Sequence, residues 1–142
     1  MATVIEICKQ RNNQIIISCD FSPPRNHNTD FVEQLAKIDA DFICIPYSPG
    51  QSARVPSSVT AYIINKETDK NVIFNIATRD MNKLALQSSL LGAETLGLQN
   101  VVVLKGDQHY KNESLIFKEV LSFRTLINFW LLSIFKKVGI IE

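Results

Sequence analysis

The sequence predicts an α/β fold built around parallel strands. Four apolar runs, rich in Ile, Val and Phe, begin at Gln14, Asp41, Asn71 and Asn100, so that consecutive starts are 27, 30 and 29 residues apart. Each run is almost continuously apolar rather than alternating, which is typical of a parallel strand covered on both faces. Stretches with helical spacing lie between the runs. Four βα units in succession therefore predict a sheet with right-handed crossovers.

The chain length leaves two architectures open. Eight units of this kind make a (β/α)8 barrel of about 250 residues. This chain of 142 residues is a little over half as long. A doubly wound open sheet of four or five strands also fits, and the spacing of the runs alone favours neither.

The first two predicted helices lie between the first three runs. Residues 29–40 place Phe31, Leu35 and Ile38 near one face, as expected for a helix that packs on a sheet. Residues 56–70 begin with Pro-Ser-Ser, and proline is favoured in the first turn of a helix.

The third predicted helix, residues 81–98, has the clearest pattern. Met81, Leu84 and Leu91 lie on one side of it, and the small residues beside them are expected to allow a close approach to the sheet. Gly97 is the expected terminator, because glycine readily adopts the left-handed conformation that ends many helices.

The end of the chain departs from this pattern. Residues 115–135 are densely apolar, and the uncharged run 125–135 is 11 residues long with basic residues on both sides. A helix that spans a bilayer needs about 20 apolar residues. We therefore expect a C-terminal helix that is buried or faces a partner, and not a membrane anchor. A membrane-associated tail is the alternative.

Composition excludes several classes of protein. The chain is 46% hydrophobic and 20% charged, which is ordinary for one globular domain. Its net charge is +1 and it has no dense basic stripe, so no nucleic-acid partner is expected. Three cysteines without a Cys-x-x-Cys pair and two histidines predict neither a disulfide framework nor a metal site. Glu6 interrupts the apolar start, so we expect no secretory signal and a cytoplasmic enzyme.

Polar residues collect where the four predicted strands end. Active sites of parallel α/β folds lie at the carboxyl ends of the strands. Here those ends read CDFSPPR, PYSPG, ATRD and KGD, and three of the four carry an aspartate. This edge of the sheet is therefore the candidate site.

Asp20 is the first candidate for chemistry at this edge. It leaves an apolar strand shortly before a double proline, which stiffens the turn and fixes the direction of the carboxylate. A carboxylate in a partly apolar mouth is a candidate general acid. A structural hydrogen bond to the following turn is the alternative.

The other polar positions also have two interpretations each. Asp107 follows Gly106 and is either a turn residue or lies where the backbone approaches a flat ligand. Asn75 lies inside the third strand, where a structural hydrogen bond and a cofactor contact are both open. Asp80 is expected to cap the following helix.

Three motifs occur together in the order and spacing of a known family. They are residues 20–25 (DFSPPR), residues 75–82 (NIATRDMN) and residues 86–93 (LQSSLLGA), the last leading to a strand that ends in KGD at residues 105–107. Together they resemble the methylenetetrahydrofolate reductase family, in register over residues 3–110. The third motif is the most specific.

The resemblance implies a (β/α)8 TIM-type barrel, of which the chain holds about the first four βα units and a C-terminal helix. Residues 1–110 correspond to the N-terminal half of the barrel, and residues 111–142 are expected to form a divergent apolar helical tail. A half-barrel has open edges. We therefore expect a homo-oligomer, a partner chain that completes the barrel, or a tail that covers one edge.

The resemblance also implies an activity. Members of the family reduce 5,10-methylenetetrahydrofolate to 5-methyltetrahydrofolate, with FAD as cofactor and NAD(P)H as electron donor. The acid that assists opening of the folate ring falls on Asp20, and the aspartate near the flavin and the pterin falls on Asp107. The other positions at the flavin fall on Pro46, Asn75, Lys105 and Gly106.

Several of these positions depart from the family. Asp20 is one methylene shorter than the family's glutamate, and Asn75 stands in place of a histidine. Pro46 replaces a threonine and donates no hydrogen bond. Lys105 keeps the charge of an arginine but lacks its planar fork. Two other functions therefore stay open: an inactive half-barrel that binds a partner chain, and another pterin or one-carbon enzyme on the same barrel.

Overall fold

The computed structural model describes residues 1–12 and 14–105. Its elements are α1 (Val4–Arg11), β1 (Ser18–Asp20), α2 (Phe31–Ala36), β2 (Phe42–Ile45), α3 (Ser57–Thr68), β3 (Val72–Ala77), α4 (Lys83–Thr95) and β4 (Val101–Leu104), with 3-10 turns at Pro49–Gln51 and Thr78–Asp80. The predicted C-terminal helix and the predicted domain boundary at residue 110 lie outside the described residues.

The four strands form one parallel sheet in the order β1-β2-β3-β4. Cys44 on β2 is the register partner of Asp20 on β1 and of Ile73 on β3. Asn75, two residues after Ile73, is the partner of Val102 on β4. The predicted α/β class is confirmed, and the arrangement is that of the first βα units of a TIM-type barrel.

The first strand is shorter than its apolar run predicts. β1 covers Ser18–Asp20, whereas the isoleucines at residues 15–17 are 84%, 38% and 53% exposed. The prediction that this strand begins near Gln14 is therefore wrong. The reason is that β1 is an edge strand whose only neighbour in the described sheet starts at Phe42, where the Phe42 amide donates to the Ile17 carbonyl at 3.3 Å.

The sequence pattern does not predict α1. Its start is stabilised by a reciprocal capping box, in which the Thr3 hydroxyl accepts the Glu6 amide at 3.3 Å and the Glu6 carboxylate accepts the Thr3 amide at 2.8 Å. These two bonds satisfy amide groups that a helix start leaves without partners.

Two asparagines hold the amino terminus against the sheet. The Asn100 side chain donates to the carbonyls of Ala2 and Val72 at 3.0 and 3.1 Å. Its oxygen accepts the Val4 amide at 3.0 Å. The Asn71 side chain accepts the Ala2 amide at 2.7 Å. Because Asn71 and Asn100 directly precede β3 and β4, this contact lies at the amino ends of the strands, opposite the candidate site.

The helices α2, α3 and α4 supply one side of the hydrophobic core, and one face of the sheet supplies the other. The buried members are Leu35, Ala61, Ile64, Leu90 and Ala93 from the helices and Ile43, Ile45, Val72, Phe74, Ile76, Val101 and Val103 from the strands, together with Leu98. Leu35 is buried, and Phe31 and Ile38 pack against this core as predicted. The helix itself is shorter than the predicted 29–40, since α2 ends at Ala36 and Ile38 lies beyond it.

Alternate strand residues lie on the other face of the sheet. We define the inner face by Asp20, Cys44, Ile73, Asn75 and Val102, which share it by register. Apart from the exposed Asp20 they are half-buried, whereas their neighbours along β2, β3 and β4 are buried. In a TIM-type barrel this face is the one that lines the interior.

The buried face of α4 differs from the prediction. Leu90 and Ala93 are buried and Leu86 packs against the core, whereas Leu84 and Leu91 are 74% and 47% exposed. Leu86, Leu90 and Ala93 are spaced by four and three residues and form one stripe, and Leu84 and Leu91 lie on the opposite side of the helix. The small residues predicted to approach the sheet are exposed as well.

The ends of α4 give one correction and one confirmation. Asn82, not Asp80, is the cap, because its side chain accepts the Ala85 amide at 2.9 Å. Gly97 ends the helix as predicted, with a φ of 75°, and its amide donates to the Glu94 carbonyl at 2.8 Å.

Candidate functional site

Asp20 is the last residue of β1 and lies exposed on the inner face, level with Cys44. The residue after it is held by its neighbours. The Phe21 amide donates to the Cys44 carbonyl at 2.8 Å, and the Phe21 ring lies 4.8 Å from that of Phe31 between centroids. The carboxylate therefore leaves the sheet from a fixed point of the backbone.

The turn that follows Asp20 is bound to the loop after β2. Pro23 is fully buried. The Arg54 guanidinium donates from Nη1 to the Pro23 carbonyl at 2.8 Å, and the Val55 amide donates to the Pro24 carbonyl at 3.0 Å. Sequence reasoning missed Arg54. Its signal was a single arginine in a loop of small residues, QSARVPSS.

Pro46 and Asn75 lie side by side. Ile45 and Phe74 are register partners, and Pro46 and Asn75 are the residues that follow them. Both are half-buried. The structure therefore brings together two of the positions predicted at the flavin. They lie one residue beyond the Ile45–Phe74 pair, toward the carboxyl edge of the sheet.

The side chain of Asn75 is available to a ligand. Its main-chain carbonyl accepts the Ser57 hydroxyl at 2.6 Å. Within residues 1–12 and 14–105 its side-chain amide has no hydrogen-bond partner. A half-buried amide in this state offers both donors and an acceptor to a bound molecule.

Lys105 follows β4 at the same edge. Its carbonyl accepts the Arg79 amide at 3.1 Å and the Thr78 hydroxyl at 3.4 Å, so the loop after β3 is tied to the end of β4. Gly106 and Asp107 lie outside the described residues, and their roles stay predictions.

Arg79 and Asp80 form an ion pair beside Tyr47. Arg79 Nε donates to both Asp80 carboxylate oxygens at 3.0 and 3.1 Å, and Nη2 donates at 2.7 Å. Burial raises the pKa of the Tyr47 phenol. The Asp80 charge raises it further, and Arg79 acts in the opposite direction. Asp80 is the last residue of the 3-10 turn Thr78–Asp80 and lies two residues before Asn82, so it does not occupy the position that caps α4.

Cys44 is the nearest titratable neighbour of Asp20 by register. Burial is the main reason that the pKa of its thiol is raised, and a hydrogen bond with Ser18 opposes this. Electrostatic interactions with Asp20 and Cys19 add to the increase. The thiol is therefore protonated at neutral pH, which makes Cys44 a weak nucleophile.

The described part of the chain contains neither a cluster of metal-binding side chains nor a helix that could span a membrane. Over residues 1–12 and 14–105, no three His, Cys, Asp or Glu side chains are grouped as a metal ion requires. None of the helices in these ranges has the length and apolar character needed to cross a membrane.

No curated protein matches the chain. A family model described as methylenetetrahydrofolate reductase matches residues 6–132. This span is most of the chain and includes all four parallel strands and the described positions Asp20, Pro46, Asn75 and Lys105. The chain therefore belongs to the methylenetetrahydrofolate reductase family.

Proposed function

We propose that the chain is a flavin-dependent enzyme of one-carbon metabolism that reduces 5,10-methylenetetrahydrofolate to 5-methyltetrahydrofolate with NAD(P)H, in the cytoplasm. Family membership gives the coarser part of this function, that of an oxidoreductase of the methylenetetrahydrofolate reductase type. The observation that carries the rest is the placement of Asp20, Pro46, Asn75 and Lys105 at the carboxyl ends of four neighbouring strands.

The donor set at this edge fits an isoalloxazine ring. The Asn75 amide is half-buried and has no partner in the described residues, so it matches the alternating carbonyl and nitrogen groups of the ring. Lys105 would add a positive charge, and Pro46 an apolar contact. When bound, the flavin would supply hydride transfer from the nicotinamide to the folate.

Asp20 would act as the proton donor in the folate half-reaction. Its exposed carboxyl group can reach a ligand over the inner face, and the residue after it is held on β2. The proton would go from its carboxyl oxygen to the folate nitrogen that leaves when the five-membered ring opens. Asp107, by the family resemblance, would lie near the flavin and the pterin.

A second candidate function is a binding module without catalysis, which pairs with another copy or another chain. One observation favours it: the isoleucines at residues 15–17 are exposed next to the edge strand β1. Exposed apolar residues at a sheet edge invite pairing with another strand.

The decisive experiment is anaerobic spectroscopy on the purified full chain. We expect FAD to bind, NADH or NADPH to bleach its absorbance near 450 nm, and 5,10-methylenetetrahydrofolate to restore it as 5-methyltetrahydrofolate forms. A chain that binds no flavin and elutes as an oligomer or with a partner chain would support the second candidate instead. Flavin reduction without reoxidation by the folate would exclude the proposed substrate.

A further inference from the structure

Arg54 connects two loops at the candidate site. It lies after β2, and its Nη1 donates to the Pro23 carbonyl at 2.8 Å. Next to it, the Val55 amide donates to the Pro24 carbonyl at 3.0 Å. The loop after β2 thus holds the double proline by one side-chain and one main-chain hydrogen bond.

The double proline begins three residues after Asp20. Prolines fix φ at positions 23 and 24, and Pro23 favours extended backbone at Ser22, but neither ring fixes the position of the turn relative to the loop after β2. Phe21 is fixed at one end by its bond to the Cys44 carbonyl at 2.8 Å. A second anchor at Pro23 is therefore needed to define the path of the turn that leaves Asp20.

Burial of the Arg54 guanidinium costs free energy. Its Nε atom is buried and has no hydrogen-bond partner among the described residues, and a buried N–H without a partner costs free energy. An unbranched apolar side chain of similar length, such as that of methionine, would occupy the site without that cost. What Arg54 supplies instead is a rigid donor aimed at the Pro23 carbonyl.

We propose that Arg54 is a positioning residue that acts through the turn of Pro23 and Pro24 to fix the direction of the Asp20 carboxyl group. This role rests on the proposed function only because it takes Asp20 as the proton donor. The contact between Arg54 and Pro23 does not depend on activity. A residue of the loop after β2 would thus orient the Asp20 carboxyl group at the end of β1.

The first test measures the contact without activity. Amide hydrogen exchange is followed at Phe21 and Val55 in the full chain and in the variants Arg54→Met, Arg54→Lys and Lys37→Met. We expect exchange at both amides to rise about 10-fold in Arg54→Met, because the turn opens locally. Arg54→Lys, which keeps a donor, should restore part of the protection. Lys37→Met removes an exposed charge elsewhere and should change neither amide.

The second test measures the consequence for catalysis. Arg54→Met should slow reoxidation of the reduced flavin by the folate about 10- to 100-fold, as expected for a small misplacement of a catalytic group. Reduction of the flavin by NAD(P)H and the KM for the folate should stay unchanged. In an Asp20→Asn background the same change should have no further effect, because both residues act on one step.

The two tests separate the two hypotheses. Unchanged exchange at Phe21 and Val55 in Arg54→Met overturns the positioning role, and so does an equal loss of rate with and without Asp20. If the unmodified chain does not transfer hydride to the folate, the proposed function fails, and the exchange data alone decide whether Arg54 holds the turn. Arg54→Lys keeps the test valid if Arg54→Met does not fold.

Discussion

The Ser57 hydroxyl donates a hydrogen bond to the Asn75 carbonyl at 2.6 Å. Ser57 is the first residue of α3 and is 6% exposed, and Asn75 lies in the carboxyl half of β3. The start of the helix is therefore fixed at the level of the strand residue proposed to contact the flavin. The bond uses the main chain of Asn75 and leaves its side-chain amide to the inner face.

Removal of this hydroxyl should destabilise the fold. We expect Ser57→Ala to lower the free energy of unfolding by about 1 kcal/mol, because the half-buried Asn75 carbonyl loses this partner. The measurement is urea unfolding followed by circular dichroism. Ser58→Ala, at the less buried neighbouring position, is the matched control. Equal effects of the two changes would show that the hydrogen bond contributes nothing specific.

The two half-reactions should respond differently to changes at Asp20. Asp20→Asn should leave flavin reduction by NAD(P)H intact and slow the folate half-reaction by about 10² to 10⁴, the usual contribution of a general acid. Asp20→Glu keeps the acid and adds the methylene of the family residue, so it should retain most of the rate. Stopped-flow absorbance measures each step separately.

Asp39→Asn is the control for Asp20→Asn, since Asp39 is an exposed carboxylate that precedes β2 and so lies at the opposite edge of the sheet. If Asp20→Asn slowed flavin reduction alone, or neither step, the proposed role of Asp20 would be wrong. The missing methylene would then be the first explanation to test.

Stability at low pH should depend on Asp41. The hydrogen bond from the Ile17 amide at 2.9 Å is the main reason that the pKa of Asp41 is lowered, and Arg11 adds to it through a side-chain hydrogen bond. A carboxylate with a lowered pKa stabilises the fold above its unfolded pKa of about 3.9, and this contribution is lost as the pH falls through the folded value.

Asp41→Asn should therefore lower the Tm at pH 7, and the difference from the unmodified chain should shrink as the pH falls below about 4. Thermal melts at a series of pH values measure this. Asp39→Asn should show no such trend. A difference in Tm that stays constant down to pH 2 would mean that the Asp41 charge does not contribute.

Thiol reactivity should report the closeness of Cys44 and Asp20. Because burial raises the pKa of Cys44, iodoacetamide at pH 7.5 should alkylate it more slowly than the exposed Cys8. Asp20→Asn removes a negative charge that raises the Cys44 pKa and should speed its alkylation. Mass spectrometry of digested protein separates the sites. An unchanged rate at Cys44 would argue against this contact.

The order and direction of the strands could be predicted from the sequence because each apolar run is long and continuous. The length of β1 could not, because the run at residues 15–17 is as apolar as a paired strand and only its place at the sheet edge leaves it exposed. The face of α4 was likewise ambiguous, since Leu84 and Leu91 form one apolar stripe and Leu86 and Leu90 belong to another.

The candidate site could be predicted as a set of strand ends but not as a set of contacts. The rule that parallel strands end at one edge predicts Asp20 and the loops that contain Pro46 and Lys105. The choice of Pro46, Asn75 and Lys105 as flavin positions came from the family resemblance. The role of Arg54 depends on two loops that meet only in the folded chain, and no local pattern predicts that meeting. The same holds for Asn100, because its side chain forms hydrogen bonds with Val4 and Ala2, which lie 96 and 98 residues earlier in the chain.

The docking of the amino terminus has a consequence for the order of events during protein synthesis. Ala2 and Val4 are translated well before their side-chain partners Asn71 and Asn100, which lie between 69 and 98 residues later in the sequence. The cap of α1 is local and can form at once, but the helix has nowhere to dock until the residue that precedes β4 has emerged. Docking of α1 on the sheet is therefore a late event in the folding of the nascent chain, although α1 precedes the four strands in the sequence.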